Sequence, residues 1–417
     1  MRSRQWLGLG AIAGVLYATR RWRAGSLETH ELAGQTAIVA GVVLGAVGLL
    51  LSGFGLLLDP RQAYFSYLTA YVTGLSVVLG ALMMVMISHL TGAVWFGPLR
   101  RTAEAVAATT PMFAVLFLPL ILGLHQLYPW VPPLVALDPA AVERIEAKRG
   151  WLNAPFFLIR AAVYFAVWIG VGLMLRHWSS RGEPSSSAVA DARRRAVSAA
   201  ALPAVALTFT FAAFDWMMSL SPDWSSTIYG AYVFAGGFLG SLALLAAVVP
   251  AASRRGPPGE PVPLDSYHSL GKLLLTFVIF WAYLGFSQLL IIWIADLPLE
   301  VIWYVRRLRG SWGMVAGLLL LGNLVVPFLL LLFRGVKRDP RALAAVGGWL
   351  LVMHYLDAYW LLMPQLHPAR VRVHWLDLAT LSGVGGTALA YGAWQLRRHA
   401  VASRSAAGPD GTLGVAR

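Results

Sequence analysis

The sequence predicts an all-α integral membrane protein of about ten transmembrane helices, and three observations carry that prediction. Of 417 residues, 58% are hydrophobic and 12% are charged, about half the charged share of a soluble domain. Ten apolar runs are each long enough to cross a bilayer core, which takes about 20 helical residues. The joints between them are short, polar or marked by proline, and leave no room for a second folded domain.

The runs follow in order. The first, about 33–57, stops at Pro60, and the second, about 64–92, carries His89 near its inner end. The third, about 108–127, carries His125 near its outer end, and the fourth, about 154–178, holds Arg160 one to two turns from the outside. On the fifth, about 196–220, Thr208, Asp215 and Ser219 share one face ahead of Pro222. The sixth, about 228–250, contains Gly236-Gly237 and ends at Pro250. The seventh spans about 268–295, the eighth about 312–333 and the ninth about 342–363, the last carrying His354 and Asp357 before Pro364. The tenth, about 373–396, includes Gly383, Gly385 and Gly386, where close helix packing is expected. Residues 1–32 read as an uncleaved cytoplasmic or interfacial segment, 33–398 as the membrane domain and 399–417 as a disordered tail.

A net charge of +14 would suggest nucleic acid in a soluble protein, so the placement of the charges decides its meaning. With an inside N-terminus, 22 of the 33 basic residues fall in inside segments and 9 in outside loops. The positive-inside rule therefore puts both termini in the cytoplasm, and the partner of this surface is a lipid bilayer rather than a nucleic acid. With no cysteine, the chain has no thiolate for an iron-sulfur cluster or metal. A bis-histidine haem would need facing ligands at one depth, whereas His89 and His125 are predicted near opposite surfaces.

Ionisable residues within the runs point to function, because lipid gives an acid or base no partner. At 100° per residue Lys272, Thr276, Tyr283 and Ser287 form one stripe on the seventh helix, which is expected to face the bundle interior; for Lys272 alone, snorkelling to the interface is the alternative. Asp215 reads either as a helix-end group or as a proton-carrying carboxylate in the outer half of the membrane. His354 and Asp357, three apart, share a face and form either a proton-handling pair or a static clamp between helices. Asp296 and Glu300 after the seventh helix either open an exit for protons or simply face water. Arg160 either meets an acid inside the bundle or snorkels.

The words of the sequence narrow this. Asp215-Trp216-Met217-Met218-Ser219-Leu220 with Trp224-Ser225-Ser226-Thr227-Ile228-Tyr229-Gly230, Phe280-Trp281-Ala282-Tyr283 with Phe286-Ser287-Gln288, Ala295-Asp296-Leu297-Pro298 with Glu300, Arg100-Arg101 with Glu104, and Lys148-Arg149-Gly150-Trp151-Leu152-Asn153 stand together in one chain. This set resembles the ActF-type membrane subunit of bacterial alternative complex III, a quinol:cytochrome c oxidoreductase, and is similar in turn to the NrfD and polysulfide reductase membrane-anchor family. The resemblance runs from about residue 35 to 395.

It implies a cofactor-free subunit of the bacterial cytoplasmic membrane, built around two four-helix bundles with two peripheral helices, beside an NrfD-like sister subunit. Iron-sulfur clusters and c haems would sit on partner subunits and take electrons from a quinol, menaquinol or ubiquinol. The expected proton path comprises His89, Asp215, Lys272, Tyr283, Ser287, Asp296, Glu300, His354 and Asp357, with His125 and Arg160 as polar-core or quinone contacts. A proton-coupled secondary transporter is one alternative; it should show paired Gly or Pro breaks in corresponding helices of two repeats, yet Pro60, Pro250, Pro298 and Pro364 stand at predicted helix ends. A purely structural membrane anchor is the other.

Overall fold

A computed structural model describes residues 35–133, 139–180, 188–253 and 262–406. Among these the chain is helical throughout its regular elements, and nine helices are long and apolar enough to cross a membrane. They are α1 Gln35–Leu58, α2 Pro60–Thr91, α3 Val94–Leu122, α4 Ala154–His177, α5 Val189–Leu220, α6 Tyr229–Pro250, α7 Leu264–Ala295, α8 Gly310–Leu332 and α9 Pro340–Gln365. A tenth helix, α10 Trp375–Ala406, occupies the last predicted run; its glycines, threonines and terminal arginines make it less apolar than the others. The predicted segment 1–32 lies outside the described residues. Of the predicted tail, 407–417 also lies outside them, whereas 399–406 continues α10 as helix.

Boundaries moved where capping or proline chemistry overrode hydropathy. The α2 helix begins at Pro60, about a turn before its apolar run, because Asp59 caps it by accepting from the Gln62 amide at 3.1 Å and proline suits the first position. It ends at Gly92, whose φ of 62° is the left-handed cap conformation. Pro98, Pro111 and Pro119 divide α3 into short helical pieces, each with its proline as the second residue, where a helix needs no amide. This helix starts earlier than its apolar run, so Arg100, Arg101 and Glu104 lie within it. In α8 a π-helical stretch, Leu320–Val325, precedes Pro327 and absorbs the missing bond. Pro111, Pro119, Pro203 and Pro327 thus depart from the expectation that prolines stand at helix ends.

Helices α2 to α5 pack as one four-helix bundle and α6 to α9 as a second. The bundles meet through α2 and α6, whose most apolar stretches are 83% and 78% buried, against 22% for α1 and 28% for each of α5, α7 and α8. Between the bundles Gly237 fits against Ser76, where a Cβ would stand 2.7 Å from the serine Cβ. Peripheral α10 lies on α2, and α1 on α10. In that last seam a Cβ at Gly48 would fall 2.2 Å from the Gly383 amide nitrogen, and one at Gly386 would fall 2.4 Å from that of Gly45. Lipid is as apolar as leucine, so such close backbone approach is what holds two membrane helices together.

Candidate functional site

Buried polar side chains collect in four places, and the packing of α2 against α6 sets the central one. On α9 His354 and Asp357 are buried and share a face, but they reach different helices. The Asp357 carboxylate accepts from the Tyr232 hydroxyl of α6 at 2.6 Å and from the Trp281 indole N–H of α7 at 3.1 Å. The His354 Nε2 lies 2.9 Å from the Ser76 hydroxyl of α2, which also donates to the Thr73 carbonyl at 3.0 Å. Gly236 stands beside both groups; its missing Cβ would lie 3.5 Å from Asp357 Oδ2 and 3.6 Å from His354 Nδ1. No cation pairs with Asp357 among the described residues. This is a carboxylate held by two neutral donors, with an imidazole one turn away on the same helix face.

Asp215, near the C-terminal end of α5, has the opposite surroundings. Its oxygens accept from Arg160 Nε at 2.7 Å and Nη2 at 2.8 Å, from the Tyr164 hydroxyl at 2.7 Å and from the Trp151 indole at 3.0 Å. Arg160 in turn donates to the Trp151 carbonyl at 3.1 Å and lies over the Trp151 and Phe156 rings. Four donors, two of them from one bidentate guanidinium, make a closed ion pair. Neither reading of Asp215, helix-end group or proton-carrying acid, included this cation, which burial brings to the carboxylate. Arg160 is the acid-binding arginine of the two alternatives.

Between these two centres Ser76, Trp168, Trp216, Met217 and Val233 help line a small cavity of about 20 Å³, room for roughly one water. The Trp216 indole N–H has no acceptor in the described chain. At the C-terminal end of α2 His89 is buried with Nδ1 3.1 Å from the Ser198 hydroxyl, and Arg100, Arg101, Arg176 and Arg194 surround Glu104.

A fourth cluster was not anticipated. At the N-terminal ends of α2 and α10, Asp377 accepts from the Ser66 hydroxyl, from Gln62 Nε2 at 3.3 Å and from the His374 amide at 2.8 Å. Gln62 Oε1 lies 2.7 Å from His367 Nε2, so the network reaches a half-buried histidine. An acid at the third position of a helix, behind His374, is the one sequence signal for it. Nearby, outside the spans, Arg307 is buried and donates to the Trp303 and Leu361 carbonyls at 3.0 and 2.6 Å. Burial lowers it to about 9, so it stays a cation at neutral pH.

Several predicted residues lie elsewhere. Lys272, Thr276 and Tyr283 are exposed on α7, Tyr283 at 62%, and Ser287 is only half-buried. The expectation that this stripe faces the bundle interior is therefore corrected. The α7 helix buries Leu274, Val278, Trp281, Leu284 and Gln288 instead, because its mostly apolar surface lets packing, rather than the polar stripe, set which face turns inward. His125 is exposed at the end of α3, outside the polar core. Asp296 is exposed and forms the left-handed cap of α7 at φ 47°, and half-buried Glu300 stands in the first turn of the helix Pro298–Leu308. No protein-family model matches the chain, and no curated protein matches it.

Proposed function

We propose that this chain is the membrane subunit of a quinol:electron-acceptor oxidoreductase of the alternative complex III type, and that it handles protons while partner subunits carry the electrons. The observation that supports this reading best is Asp357: a carboxylate deep in the second bundle, bound by Tyr232 and Trp281, with no paired cation among the described residues and one helical turn from His354. A static clamp closes its charge, as Arg160 does for Asp215, whereas a group that exchanges protons needs neutral neighbours that serve both protonation states. From Asp357 the polar groups continue through His354 and Ser76 toward the central cavity, and His89 with Glu104 offers an inner entry.

The packing of consecutive helices into two bundles, with α1 and α10 outside them, is the architecture the resemblance implies. It argues against the transporter alternative, because the broken helices, α3 and α8, are the second of one bundle and the third of the other and so do not correspond. The exposed polar face of α7 suits a neighbouring membrane subunit, since lipid tails offer the Tyr283 hydroxyl no hydrogen bond. Within such a complex the NrfD-like sister, an iron-sulfur subunit and multihaem cytochrome c subunits are the proposed partners, and the bacterial cytoplasmic membrane the proposed location.

Gentle-detergent purification of the tagged chain from its native membrane, with mass spectrometry and a visible spectrum, tests the assignment. Iron-sulfur and c-haem subunits are expected to accompany it. Recovery alone, or with a substrate-binding protein, contradicts the reading.

A further inference from the structure

The inner end of α7 and the link between α8 and α9 bring basic residues together that the proton path does not use. Lys272, Arg334, Lys337 and Arg338 all lie within electrostatic reach of His268. The nearby carboxylates are Asp265, which pairs with Arg338 Nη2 at 2.7 Å, and Asp339, which caps α9 through the Arg341 amide at 2.8 Å. Two features set the cluster apart from loose surface charge. Lys337 is nine-tenths buried, yet no acid pairs with it among the described residues, and Arg338 Nε is buried without an acceptor. The Lys337 stem lies on α7 because position 271 is glycine; a Cβ there would come 2.7 Å from Lys337 Cγ. Beside these cations Leu264, Leu332 and Phe333 are exposed, at 55%, 51% and 67%.

We infer that Lys337, Arg338 and Lys272 form a binding site for the phosphate headgroup of an anionic phospholipid, whose acyl chains run along Leu332, Phe333 and Leu264. A basic pocket between helix ends at headgroup level supplies charge and donors for phosphate, and the apolar rim supplies the contact that a free anion does not use. Lys337 supplies the specificity: its stem is fixed by packing on Gly271, so the ammonium is held in place rather than left to sample the surface.

The test uses the full chain purified in mild detergent and exchanged into nanodiscs holding a minor fraction of phosphatidylglycerol or cardiolipin in phosphatidylcholine, with retained lipid counted by native mass spectrometry. The wild type is expected to retain anionic lipid over phosphatidylcholine, with retention falling about fivefold for each charge removed in Lys337→Gln and Arg338→Gln, and with Arg341→Gln as a control that changes little. Gly271→Ala keeps every charge but displaces the Lys337 stem, so retention is expected to fall there too. Unchanged retention in Gly271→Ala together with equal losses in all three charge variants would mean diffuse surface charge and overturn the site. Displacement of the lipid by millimolar inorganic phosphate would mean a free-anion site and overturn the lipid assignment. Melting curves of each variant establish that it is folded.

Discussion

Replacing Arg160 with methionine probes the Asp215 centre most sharply. Asp215 is 1% exposed and Arg160 6%, so the substitution removes two of the four donors and the one cation paired with it among the described residues from a buried carboxylate. Leaving a buried charge uncompensated in this way costs about 3–5 kcal/mol. The lost contacts of the guanidinium with the Trp151 and Phe156 rings add about 0.5–1 kcal/mol each. Tyr164→Phe removes one neutral donor and should cost less, about 1.5–3 kcal/mol. The informative comparison is the double variant Arg160→Met with Asp215→Leu: with both charges gone nothing stays uncompensated, so it should be more stable than Arg160→Met alone. Ordinary hydrogen bonds between membrane helices average about 0.6 kcal/mol, so the ion pair stands well clear of that background. Reversible unfolding in mixed micelles, followed by tryptophan fluorescence, reads all five proteins, with Asp215→Leu alone as the remaining corner of the cycle. A cost below about 1 kcal/mol for Arg160→Met, or simple additivity in the double variant, would refute the closed ion pair.

Gly48→Val places a side chain where α10 backbone stands and should release α1; cysteine pairs placed across the seam, in a chain with no native cysteine, should lose their cross-link. Burial, and then the charge of Arg372, hold His367 below the ordinary histidine value. Its folded form therefore binds fewer protons than the unfolded chain, so its contribution to stability is full above about pH 6.5 and lost as pH falls. The melting temperature should drop on acidification, and His367→Gln should flatten that slope. Tyr283→Phe should leave the isolated chain as stable as the wild type, because no described residue bonds the hydroxyl, but should weaken retention of its membrane neighbour in pull-down.

Hydropathy made the ten helices legible because a spanning run is a one-dimensional property, and the same holds for the glycine seams. Capping and proline chemistry explain the boundaries that differ: Asp59-Pro60 and Pro111 were visible, but their effect on helix ends outweighs hydropathy by a turn or more. Asp357, His354, Arg160 and Asp215 stood out as lone charges in apolar runs. Their pairing did not, since Arg160 and Asp215 are 55 residues apart and Tyr232 and Asp357 are 125 apart. The error over α7 has the same origin. A polar stripe marks the face that lipid should not touch, but it cannot distinguish the chain's own core from a surface for another subunit.

The central claim is that Asp357, rather than Asp215, exchanges protons. An asparagine at 357 keeps one acceptor for the Trp281 N–H and turns its amide toward the Tyr232 oxygen, so the fold is expected to hold. The decisive measurement is the proton-to-electron ratio of the complex reconstituted in vesicles, wild type against Asp357→Asn. The expected result is electron transfer that persists with fewer protons moved per electron; an unchanged ratio in folded, fully assembled Asp357→Asn complex would contradict the account.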